Sequence, residues 1–274
     1  MRMNRFVSPL VFLLLGASLF AHETFLAPSQ TLILAGATVR LDLSSTAAFP
    51  LMETAILPNR LVKASVRLAD TNDKLVPVEG TKSLRFNYTA PKDKSGIATA
   101  FVSLKPKTLT LDPKLIAESA EEIGQPALLE KWKAKPDPKQ WREEYTKHAK
   151  AFFRVGNAND ESWKTPVGQA LEIVPLVDPT RAFVTEAFVI QLLRADQPLA
   201  NFPVVAIGDS KTPSIFVTTD ASGKASFMLT KPGRWLLTAT EVRETTKAGL
   251  EYESDFATML VMVRPAKAEP APAR

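Results

Sequence analysis

Ile215-Phe-Val-Thr-Thr-Asp-Ala-Ser-Gly-Lys-Ala-Ser-Phe-Met-Leu229 is the stretch that decides the fold. Two short runs in which apolar and polar residues alternate flank Asp220-Ala-Ser-Gly223. Period-two alternation marks strands with one buried face. Asp and Ser side chains bond to nearby backbone amides, and Gly supplies the positive φ that closes a tight turn. Outward from this unit the pattern repeats. Ala195-Asp-Gln-Pro198 reads as a hairpin and Pro232-Gly233 as a turn. The runs Ala170–Val177, Phe188–Leu193, Val204–Ile207, Trp235–Thr240 and Ala257–Val263 complete a set of about seven strands, the size of an immunoglobulin-like sandwich.

Toward the N-terminus, Thr31–Leu34 and Thr38–Ser44 flank Ala35-Gly36-Ala37 as the arms of a hairpin would, and Leu61–Leu68, Leu84–Tyr88 and Ile97–Leu104 continue the β pattern. The period changes after Leu111. Asp112-Pro113 reads as N-cap and first helical residue of a helix ending near Ile123, with Gly124 as its stop. A second helix is expected from Pro126 to Lys135. A third is expected from Asp137-Pro-Lys-Gln140 to about Arg154, because Trp141, Tyr145, Ala149, Phe152 and Val155 recur at steps of three and four. The expected class is mainly β: two immunoglobulin-like or prealbumin-like β-sandwich domains (22–111 and 165–264) with a helical insertion (112–164) and a disordered tail (265–274). The sandwich to which 170–177 belongs is left open.

The 274 residues include no Cys and two His, with a formal net charge of +5. A disulfide scaffold, a Cys-ligated metal and a thiol nucleophile are excluded. The charge is too small and too dispersed to point to nucleic acid. Arg2 and Arg5, the apolar run Leu10–Phe20 and small residues up to Ala21 read as a secretory signal peptide, residues 1–21, with cleavage after Ala21. An uncleaved anchor is the alternative. No later run is long and apolar enough to span a bilayer, so the expected location is the periplasm or the medium.

Two resemblances refine this. Asp196-Gln-Pro-Leu, Thr219-Asp-Ala-Ser-Gly223 and Lys231-Pro-Gly-Arg-Trp235 resemble the prealbumin-like and carboxypeptidase-regulatory-like sandwiches of exported proteins. His22-Glu-Thr-Phe-Leu-Ala-Pro28, Tyr145 with Lys150 to Gly156, Leu171-Glu-Ile-Val-Pro175 with Asp178-Pro179, and Glu253-Ser-Asp-Phe-Ala-Thr-Met-Leu260 resemble an uncharacterised bacterial periplasmic family. Phe25 stands where that family typically has Trp. Its members are often labelled periplasmic components of cobalt- or nickel-type uptake systems. The resemblance therefore implies a divalent metal ion as ligand and an inner-membrane transporter component as partner.

Cleavage after Ala21 would make His22 the first residue, offering its α-amine and Nδ1 as a chelate for nickel, cobalt or copper. His148 would be the second imidazole of a tetragonal site and Glu23 a carboxylate neighbour. A solvated His22 and a packed His148 are the plainer readings. Asn157–Glu161 gathers oxygen ligands for Ca²⁺ without EF-hand spacing. Glu143, Glu144, Glu251, Glu253 and Asp255 offer acid–base candidates that read more readily as a solvated face. Trp141, Trp163 and Trp235 read as core before they read as a sugar platform. Three functions stay open: a non-enzymatic metal-handling protein, a metal-free protein- or glycan-binding module of the envelope, and a copper oxidoreductase.

Overall fold

The computed structural model describes residues 22–78, 80–209 and 212–266; the expected signal peptide (1–21) and residues 267–274 of the expected tail lie outside the described residues. The strands of the first part are β1 (Glu23–Pro28), β2 (Leu32–Ile33), β3 (Thr38–Thr46), β4 (Thr54–Ala55), β5 (Leu61–Leu68), β6 (Thr71–Lys74), β7 (Pro77–Val78), β8 (Leu84–Thr89), β9 (Gly96–Leu104) and β10 (Lys107–Thr110). Helices α1 (Pro113–Glu122) and α2 (Pro126–Lys133) follow, then β11 (Arg142–Val155). The second part holds β12 (Leu171–Pro175), β13 (Ala182–Phe183), β14 (Ala187–Arg194), β15 (Gln197–Pro198), β16 (Pro203–Ile207), β17 (Ile215–Thr218), β18 (Lys224–Met228), β19 (Gly233–Glu244) and β20 (Tyr252–Arg264).

These strands form two sandwiches that share one sheet. The shared sheet has eleven strands and runs β17-β16-β19-β20-β11-β9-β5-β6, with β2, β10 and β13 attached. A five-stranded sheet (β1, β3, β4, β7, β8) covers one face of it, and a four-stranded sheet (β12, β14, β15, β18) covers the other. Alternation along the shared strands shows this directly. Ala149, Ala151, Phe153 and Val155 of β11 pack with Phe25, Leu41 and Phe86 in the first core. Phe152 of β11 packs with Trp235, Phe188 and Phe227 in the second. In β20, Leu260 joins the first core while Met259 and Val261 join the second. Residues 171–175 pair with β14 and so belong to the second sandwich.

The third expected helix is a strand. Residues 142–155 lie at the centre of the shared sheet, antiparallel to β9 and parallel to β20. Its Glu, Lys, Ala and Arg residues favour helix, but both faces are buried, and helix propensity yields to the pairing this permits. Lys150 donates to Glu172 Oε1 at 2.5 Å, and Arg154 forms an ion pair with Asp178. The segment 112–164 is therefore α-helical only over Pro113–Glu122 and Pro126–Lys133. Asp112 caps α1 as expected, its carboxylate accepting from the Lys114 amide at 2.9 Å.

Two turns do something other than expected. Ala35-Gly36-Ala37 does not close a hairpin: β2 pairs in parallel with β11, whereas β3 pairs with β1 and β8, so the turn carries the chain between sheets. Asp220–Gly223 likewise passes from β17 in the shared sheet to β18 in the four-stranded sheet. Asp220 Oδ1 accepts from the Ser222 and Lys224 amides, and Gly223 adopts φ +73° where a Cβ would lie 2.8 Å from the Leu192 carbonyl. Ala195 and Asp196 do form a two-residue hairpin, both at positive φ, joining β14 and β15.

Candidate functional site

β1 packs across β11 and β20, and α1 and α2 sit on the same face of the shared sheet through Trp132, Trp141, Tyr252 and Phe256. Alternation along β11 sends Glu143, Tyr145 and Lys147 toward this face. Lys147 is buried, and its Nζ donates to the His22 carbonyl at 2.5 Å. Beside it a groove of about 580 Å³ opens between β4, the turn Pro58–Arg60, β10 and β11. Its polar wall includes His22, Asn59, Arg60, Lys107, Tyr145 and Lys147.

Electrostatics there is set by burial. It pushes the Lys147 ammonium down to about 8; Glu23 and Glu143 oppose the shift, while Arg60 and Lys107 add to it. Burial pushes the Glu143 carboxyl up to about 7 against the hydrogen bonds it accepts from Ser254 Oγ and Trp141 Nε1. Glu23 is also raised by burial, opposed by Lys147 and by Thr238 Oγ1, which donates to Glu23 Oε1 at 3.2 Å. Across β1 from the groove, Glu23 lines a smaller cleft of about 280 Å³ with Glu122 and Thr240. Glu143 and Lys147 are four residues apart on one strand, about 13 Å of strand rise. They are thus not in direct reach as an acid–base couple.

Arg60, Lys107 and Lys147 have no carboxylate within 4 Å among the described residues. Arg60 Nη2 donates to the Lys105 carbonyl at 2.8 Å, while its Nε is buried without a hydrogen-bond partner. The guanidinium and the Lys147 ammonium lie 6.0 and 5.6 Å from the Tyr145 ring centre.

The structure does not bring the three expected metal ligands together. His22 and Glu23 lie on the face to which Lys147 points, whereas His148, the next residue of the strand, points to the opposite face. There His148 Nδ1 meets Ser103 Oγ at 3.0 Å and Nε2 meets Asp255 Oδ1 at 3.4 Å. Asp255 is also held by Arg243, Arg243 by Glu241, and Glu241 by Arg194. His148 therefore sits within a row of polar ties that crosses the shared sheet from Ser103 on β9 to Glu241 on β19 and reaches Arg194 on β14. Among the described residues no three His, Asp or Glu side chains converge as a metal donor set. The Lys147 ammonium at His22 is an unfavourable neighbour for a dication, so these residues do not fit the metal implied by the resemblance.

The remaining candidates have structural partners. Asp160 accepts from the Ile97 amide and from Ser162, which fixes the turn after β11. Trp141, Trp163 and Trp235 are buried. Glu143, read as part of a solvated face, is fully buried. Sequence reasoning did not single out Arg60, Lys107 or Lys147. The signal for Lys147 is the alternation Glu143, Tyr145, Lys147, Ala149, Ala151, Phe153, visible once a period of two is tried.

A family model described as a domain of unknown function (DUF4198) matches residues 19–243. The chain belongs to the DUF4198 family. That description names no metal, so the cobalt or nickel label is not part of the match. No curated protein matches this DUF4198 chain in sequence. Among solved structures it is similar to the D0-D1 domain of intimin (13% identity over 86% of this chain and 97% of that one, TM-score 0.22). It is also similar to FdeC, an Escherichia coli adhesin (14%, 88% and 64%, TM-score 0.25), and to Salmonella alpha-2-macroglobulin (11%, 87% and 15%, TM-score 0.25). None of these likenesses supplies a site or a ligand for the DUF4198 chain. Among the described residues no helix is long and apolar enough to cross a membrane.

Proposed function

We propose that this chain is exported and acts as a non-catalytic binding module of the cell envelope, with its ligand seated in the groove beside β1. The observation that carries this reading is the burial of Lys147 at the groove, with Arg60 and Lys107 beside it and, among the described residues, no carboxylate within 4 Å of any of the three. Holding unmatched cations together costs stability. Such a cost is characteristic of sites that work on something other than the fold. The signal-like segment 1–21 supports export. The metal-uptake reading rests on the resemblance, and the separation of His22 from His148 weakens it.

The test uses the protein purified from the exported fraction. Co-sedimentation with isolated envelope fractions is expected for the natural protein and is expected to be lost in Ala55→Trp, which fills the groove from β4. Equal retention of the variant, or no retention of the natural protein by any fraction, overturns the reading. Retention that requires added Cu²⁺, Ni²⁺ or Co²⁺ and disappears in His22→Ala would restore metal handling in its place.

A further inference from the structure

We infer that the groove takes an anionic head carried on a short aliphatic body, a carboxylate at the end of an apolar chain; this rests on the groove being the ligand seat proposed above. The cationic half comes from three separate elements. Arg60 ends the turn before β5, Lys107 opens β10, and Lys147 lies in β11. Arg60 has a buried Nε without a partner, and its guanidinium retains a planar fork suited to carboxylate geometry. Lys147 spends one N–H on the His22 carbonyl, and an ammonium has three to give. An incoming anion would also offset the mutual repulsion of Lys147 with Arg60 and Lys107. The carboxylates whose charge reaches Lys147 without contact, Glu23 on β1 and Glu143 on its own strand, are each engaged elsewhere, with Thr238 and with Ser254 and Trp141.

The apolar half is Ile56, Leu57, Leu104 and Pro106. Leu57 is 64% exposed, a large aliphatic side chain left in water at the groove's edge. A volume of about 580 Å³ falls within the span of small-ligand sites, roughly 300–1,000 Å³. A fully hydrated small anion would leave the aliphatic wall uncovered, and an aliphatic amine would meet three like charges. Two sources share the inferred chemistry: a free aliphatic monocarboxylate and the C-terminal carboxylate of an apolar peptide.

Titration calorimetry on the purified exported protein tests this with hexanoate, a short peptide ending in free Leu, the same peptide as its C-terminal amide, hexylamine and inorganic phosphate. Binding of hexanoate or the free-acid peptide is expected, and whichever binds more tightly identifies the source. A loss of tenfold or more is expected for the amide, and for Lys107→Glu and Arg60→Gln. Equal binding of the amide or of hexylamine, phosphate binding as tightly as hexanoate, or unchanged affinity in both variants overturns the inference. If envelope retention depends on the groove while neither carboxylate binds, this inference fails and the binding-module reading stands.

Discussion

Glu143 and Lys147 carry opposite charges on one face of β11, and burial works against both. An ordinary Glu titrates at 4.5 and this one near 7, so between those values the folded protein holds a proton that the unfolded chain has released, and stability falls as pH rises. Lys147 is lowered from 10.5 to about 8, so in that interval the unfolded chain holds the extra proton and stability rises with pH. The contributions combine into a stability minimum between about pH 7 and 8. Urea midpoints across pH are expected to show it, with Glu143→Gln removing the acid limb and Lys147→Met the alkaline one; unchanged limbs in both variants refute the assignment. Lys150 and Glu172 present the opposite case. Burial opposes ionisation of Glu172, but Lys150 and the amides of Val167 and Gln169 hold its carboxyl below the usual range. Glu172→Gln leaves Lys150 buried without its counter-charge and is expected to cost about 3–5 kcal/mol in denaturant unfolding. Replacing both partners together, as Lys150→Met with Glu172→Gln, removes the unpaired charge while keeping an acceptor for the Val167, Gly168 and Gln169 amides, and is expected to recover part of that loss.

β11 shows how far local sequence speaks for an element and where it stops. Asp112-Pro113, the hairpin at Ala195–Pro198 and the set of about seven C-terminal strands were legible because each depends on neighbours in sequence: a cap, a tight turn, an alternation. Between Trp141 and Val155 two periods fit equally well, and the deciding partners, Glu172 and Asp178, lie 22 and 24 residues beyond the lysine and arginine they neutralise. For the same reason the groove was not legible. Arg60, Lys107 and Lys147 have no motif in common and meet only because β10 pairs with β11 and the turn before β5 folds beside them. The inter-sheet turn at Gly223 gives a test at this scale. Gly223→Ala would force a side chain into a left-handed conformation and onto the Leu192 carbonyl, so a loss of more than about 1 kcal/mol is expected, read from the thermal midpoint. A neutral result would mean that β18 shifts away from β14 without penalty.

The molecule as a whole has two cores but one continuous sheet between them. Leu236 and Leu260, on strands that mainly serve the second core, also complete the first. Neither half closes its own hydrogen-bond ladder without the other, because β11 pairs with both β9 and β20. Calorimetry is therefore expected to show a single transition with a calorimetric to van't Hoff enthalpy ratio near one. Residues 22–156 expressed alone are expected to aggregate through the exposed edge of β11. Two separated transitions would show that the cores fold independently.

The seam between β11 and β20 also has a mechanical side. The two strands run parallel in register from Glu143↔Tyr252 to Ala151↔Leu260. Tension that slides one sandwich past the other along this direction meets the entire row of hydrogen bonds in shear, where an antiparallel hairpin would peel open one bond at a time. Under such a pull the two halves hold, or give way, together.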